Sequence, residues 1–85
     1  MNLDQINQEL ADLANCGDPT FTQAAAYVAS LAAQAQAGQM APEEMAELLK
    51  DVQRQMNVID QMSQLEFKEK LNTLINGLIK LAGLV

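Results

Sequence analysis

Two Gly-to-Pro breaks, Gly17-Asp18-Pro19 and Gly38-Gln39-Met40-Ala41-Pro42, cut this chain into segments whose apolar residues recur at helical spacing. Glycine ends a helix by accepting a left-handed backbone, and proline opens the next because its missing N–H is not needed there. Between the breaks the common residues are Ala, Leu, Gln, Glu and Met, all strong helix formers, and β-branched residues are few and scattered. The pattern predicts an all-α fold, an antiparallel bundle of three or four helices, with residues 1–85 as one domain. Expected helices run at about 3–15, 19–37, 42–61 and 64–82.

In the first segment Leu3, Ile6, Leu10 and Leu13 make a narrow apolar stripe, with Asn2 as its N-cap. Asp18 reads as the N-cap of the second segment and Pro19 as its first helical residue, with Phe21, Ala25, Val28 and Leu31 inward. The third opens on Pro42, with Glu43 and Glu44 at the positive end of the helix dipole and Met40 placed to staple onto Met45. Its stripe of Met45, Leu48, Leu49, Val52, Met56 and Ile59 then loses phase. At about 100° per residue, Met62 and Leu65 drift off it and Phe67, Leu71, Leu74 and Leu78 return. A break or kink near Gln61–Gln64 explains the slip, and Ser63 with Glu66 fits a capping box that starts a fourth helix; the alternative is one long helix whose stripe winds around it, since no Gly or Pro forces an ending there.

The last segment is apolar over roughly 220° of its circumference, more than one neighbour covers. Such a helix is central in its own bundle or buried against another chain. A domain of 85 residues hides only roughly 60 to 65% of its unfolded surface, so the excess is read as an oligomer seam. The expected contact residues are Leu74, Leu78, Leu81 and Val85, with Phe67 and Leu71 as anchors. On that reading an Asp at Leu78 or Leu81 dissociates an oligomer and leaves the first two helices helical.

Composition narrows the chemistry. There is no His, so the commonest general base and metal ligand is missing, and the chain is expected to be no enzyme and to hold no cofactor or metal. Glu43, Glu44, Glu47 and Asp51 are the densest carboxylate group, but carboxylate-bridged metal bundles add His, and Lys50 and Arg54 neutralise this patch. Cys16 is expected to be a half-buried structural thiol, because a nucleophilic Cys wants a base beside it. Ser63 sits in Met62-Ser63-Gln64, unlike the Asp-Ser-Leu of acyl carrier proteins, which leaves it a capping role. The five Met residues are assigned mainly to core filling.

The net charge is −6, and every Lys and Arg lies at or after Lys50. Phosphate backbones repel such a surface, so no nucleic-acid partner is expected. Leu71–Val85 is too short and too polar to span a bilayer, and the N-terminal stretch has Asp4 and Glu9 but no Lys or Arg to begin a signal peptide. A cytoplasmic protein with a lone Cys is the expectation.

The stretch Ala35-Gln36-Ala37-Gly38-Gln39-Met40-Ala41-Pro42-Glu43-Glu44-Met45-Ala46-Glu47-Leu48-Leu49 resembles the helix, Gly, Pro-Glu-Glu, helix hinge of short helical proteins of tailed bacteriophages. It covers under a quarter of the chain. The resemblance implies a phage or bacterial origin, with host cytoplasm or virion as the location, and it assigns no functional residue. The function expected is a non-enzymatic assembly or protein-interaction module, a homo-oligomer or the binder of a protein partner, in a phage structural or accessory role. The alternatives are a membrane-surface protein using its last helix, and an acidic inhibitor that fills a basic site through Glu43, Glu44 and Glu47.

Overall fold

The computed structural model describes residues 2–82. Four helices follow one another, α1 (Leu3–Ala14), α2 (Pro19–Gln36), α3 (Pro42–Met56) and α4 (Met62–Leu81), and no strand occurs among the described residues. Asn2 caps α1 in a reciprocal pair: Gln5 N–H donates to Asn2 Oδ1 at 2.8 Å, and Asn2 N–H donates to Gln5 Oε1 at 3.4 Å. At the first corner Gly17 adopts φ +89°, and Thr20 N–H donates to Asp18 Oδ1 at 3.0 Å to start α2 behind Pro19. The end of α2 is a Schellman turn: Gly38 takes φ +74°, its N–H donates to Ala35 O at 3.2 Å, and Gln39 N–H donates to Gln34 O at 2.9 Å.

α3 ends five residues earlier than the expected helix at 42–61, and α4 starts two residues earlier than the one at 64–82. α3 ends at Met56, not near 61, and α4 begins at Met62 behind Gln61, with no side-chain cap. Ser63 is an exposed first-turn residue, so its capping box with Glu66 does not form, and no ion pair joins Glu66 to Lys70. What ends α3 is tertiary. Lys68, from the second turn of α4, donates through Nζ to Asn57 O at 3.5 Å and Ile59 O at 3.1 Å, placing a cation on the negative end of α3. Ile59 turns inward against the core while Val58 is left outside.

The remaining polar tie at this end runs between α2 and α4, where Gln64 Nε2 donates to Asp18 Oδ2 at 2.8 Å. Asp18 therefore serves two helices with its two oxygens. Replacing Asp18 by Ala is expected to cost about 1 to 2 kcal/mol, the upper range for a lost cap, whereas Ser63→Ala should change stability by less than about 0.5 kcal/mol. Urea denaturation of the two variants checks this. A larger loss for Ser63 than for Asp18 would restore the capping box to Ser63.

Helix direction follows from which ends meet. The start of α1 (Leu3), the end of α2 (Ala35), the start of α3 (Pro42) and the end of α4 (Leu81) surround one groove, while Asp18 at the start of α2 meets Gln64 at the start of α4. The helices thus run up, down, up and down, an antiparallel bundle of 36 × 22 × 20 Å whose long axis suits α4, about 30 Å at 1.5 Å per residue. α4 packs on all three other helices, whereas the backbones of α1 and α3 stay apart, with no Cα pair within 8 Å. The diagonal between α2 and α4 is therefore the short one. Ala25 and Ala32, both buried on α2, leave room for it, and the rings of Phe21 and Phe67 meet across it with centroids 5.6 Å apart.

The core takes Ile6, Leu10 and Leu13 from α1, Phe21, Val28 and Leu31 from α2, and Met45, Leu49, Val52 and Met56 from α3. From α4 it takes Leu71, Leu74, Ile75, Leu78 and Ile79. Among the described residues, no charged or polar residue is buried with them. The wide apolar arc of α4 is spent inside the chain, because a helix touching three neighbours needs an arc of that width. The seam expected along Leu71, Leu74 and Leu78 is thus corrected: these side chains are 0%, 1% and 3% exposed in the single chain and form its centre.

Candidate interaction surfaces

The expected contact residues divide by depth. Leu71, Leu74 and Leu78 are core; Phe67 is half-buried against Phe21; Leu81 is 52% exposed; Val85 lies outside the described residues. Only Leu81 remains a large apolar contact on the surface. It stands at the rim of an open groove of about 230 Å³ between the four helix ends, with Leu3, Ala35, Met45 and Leu78 among its walls. The groove exists because α2 reaches this end with Ala32 and Ala35, whose methyl groups are too short to fill the space that four diverging helix ends leave.

Charge around the groove follows from the helix ends that build it. The first turns of α1 and α3 bring Asp4, Glu43 and Glu44, each complementing its helix dipole, and the last turn of α4 brings Lys80. None of these charged side chains lines the groove, whose walls are apolar apart from Gln36. Lys80 makes no ion pair with a described residue; the pair present among them joins Arg54 to Asp51 on the surface of α3.

A second apolar surface lies at the opposite end, where the chain turns from α3 into α4. Val58 is 82% exposed and Met62 88%, and Leu65, one turn along the same side of α4 from Met62, is also on the surface. Sequence reasoning passed over Val58 and read Met62 mainly as core. The signal was present as the phase slip, since the residues that drift off the α3 stripe are the ones that end outside. Of the other Met residues, Met45 and Met56 are buried and Met40 packs half-buried on the core, as core filling requires. Met1 is outside the described residues.

A second depression, of about 310 Å³, separates α2 from α3, lined by Thr20, Gln23, Ala24, Tyr27, Val52 and Gln55, with Tyr27 partly exposed. Gln53 Nε2 donates to Asn76 Oδ1 at 2.9 Å between α3 and α4, while the buried Oδ1 of Asn72, one turn earlier on α4, has no hydrogen-bond partner.

Among the described residues no three or more His, Cys, Asp or Glu side chains gather as a metal site, and Glu43, Glu44, Glu47 and Asp51 point along the exposed side of α3. Cys16 is half-buried at the first corner, its Sγ 4.0 Å from Asp18 O. No described helix is long and apolar enough to cross a membrane. Comparison with protein families, characterised proteins and solved structures finds no match to this chain.

Proposed function

We propose that the chain is a non-enzymatic helical assembly module that contacts copies of itself through the bundle end bearing the groove. The single observation that supports this is Leu81, a large aliphatic side chain half out in water beside an apolar groove that no described residue fills. Covering both is worth about 25 cal/mol for each Å² of apolar surface removed from water. The reading keeps Leu81 and gives up the rest of α4 as a contact seam. It does not depend on the resemblance of the hinge to phage proteins.

Interface size sets the strength. The bundle is only 22 × 20 Å across its long axis, so an end face offers less than the roughly 800 Å² per partner of a tight complex. Association is accordingly weak and concentration-dependent. In sedimentation equilibrium from micromolar to near-millimolar protein, the average mass of the wild type should rise and that of Leu81→Asp should stay at one chain. A wild type that remains monomeric to the highest concentration removes the proposal.

A further inference from the structure

We infer that α3 is a detachable strap, which opens and melts as a unit while α1, α2 and α4 stay packed as a three-helix core. This goes beyond the assembly reading and does not depend on it. α1 and α3 lie on opposite sides of the α2–α4 diagonal, each packed on both of those helices. Their seats are unequal. Of the large side chains that are fully buried, α1 supplies Ile6, Leu10 and Leu13, whereas α3 supplies only Leu49. Beside Leu49, α3 adds Met45, Val52 and Met56, buried a little less completely, and the single methyl of Ala46. Thioethers on unbranched chains fill space without locking it.

The margins of α3 are as loosely made as its inner face. The depression of about 310 Å³ between α2 and α3 runs along Val52 and Met56, where Ala24 of α2 is too short to fill it. No side chain caps the N-terminus of α3, whereas α1 has the reciprocal pair of Asn2 and Gln5. Its side-chain ties to α4 are the exposed bond from Gln53 to Asn76 and the bonds of Lys68 to the carbonyls of Asn57 and Ile59, just beyond its end. An exposed hydrogen bond adds little, because water replaces it when it breaks. Once out of its seat α3 does not stay helical, since 15 residues are too few to hold their turns alone in water. Residues 37–41 and 57–61 keep both its ends joined to the core, so the opening is local. Chain position alone would pick the terminal helix, α1, to open first. Depth of packing picks α3.

Native-state hydrogen exchange tests this, resolved helix by helix at low micromolar protein in rising sub-denaturing urea. The slowest amides of α3 should exchange at least about 10-fold faster than the slowest of α1, α2 and α4. Two mild variants then separate local opening from global unfolding. Ile6→Val on α1 weakens the core that survives the opening. It should speed the slow amides of α1, α2 and α4 by roughly 2- to 12-fold and leave those of α3 unchanged. Val52→Ala on α3 weakens a seat that is lost in both events, so it should speed all four helices by one common factor. Slow amides in α3 that match those of the other helices would mean that the bundle opens as one, which overturns the strap. It is overturned equally if α1 exchanges fastest, or if Ile6→Val speeds α3 as much as the rest.

Discussion

Leu78→Asp is expected to unfold the protein, whereas Leu81→Asp, three residues along the same helix, leaves it folded. The two leucines are about 60° apart around α4. Yet one is 3% and the other 52% exposed: both line the groove, Leu78 as a buried wall that also belongs to the core and Leu81 at its exposed edge. Truncating a buried Leu alone costs about 2 to 5 kcal/mol. A carboxylate there must also be buried without a partner, since the core holds no polar or charged residue to meet it. The sum is comparable to the whole stability of a domain this size, about 4 to 13 kcal/mol.

Its pH dependence has a definite sign. Burial raises the folded-state pKa of the new Asp above its unfolded value, so the folded state is least penalised where the group is protonated, below about pH 4, and the penalty grows as pH rises above that. Leu78→Asp should therefore lose cooperative thermal unfolding at neutral pH and regain part of its helicity, relative to wild type, in mild acid. Leu81→Asp should melt within a few degrees of the wild type. A Leu78→Asp protein that melts cooperatively at neutral pH and differs from the wild type only in mass would return α4 to the surface and make it the seam after all.

What could be read in advance was whatever is local. Asn2, Gly17, Asp18-Pro19 and Gly38 set the ends of α1 and α2 through bonds to residues within a few positions, and all of them act as their chemistry dictates. The α3–α4 turn has no such residue. Its position is set by Lys68 reaching back to Asn57 and Ile59 and by Ile59 turning toward the core, contacts that exist only after α4 has docked. Sequence offered Ser63 and Glu66 as a local substitute, and tertiary packing overrode it.

The candidate site shows the same division. Counting apolar residues on α4 gives the width of its buried arc but not what covers it, because a helix wedged among three neighbours and a helix half buried in a dimer need the same pattern. Leu81 and Leu78, about 60° apart, both fall within the wide apolar arc that the sequence shows. They differ because Ala32 and Ala35 fail to fill the far end of the bundle, a fact about another helix.

The other large loss is expected at Phe21. Its ring is fully buried in the first turn of α2 and stands 5.6 Å from that of Phe67, tilted by 45°, on the short diagonal that joins α2 to α4. Phe21→Ala removes the largest fully buried side chain, and the cavity cannot close by collapse, since the neighbouring Asp18–Gln64 bond and the Pro19 turn hold the helix start in place. The cost should be about 3 to 5 kcal/mol in urea denaturation. Phe67→Ala, half-buried, should cost less. The double variant should fall short of the sum of the two by about 0.5 to 1.5 kcal/mol, the worth of an aromatic pair beyond its burial. Strictly additive losses would mean that the rings do not support each other, and the diagonal would then be held by Ala25 and Ala32 letting the backbones approach.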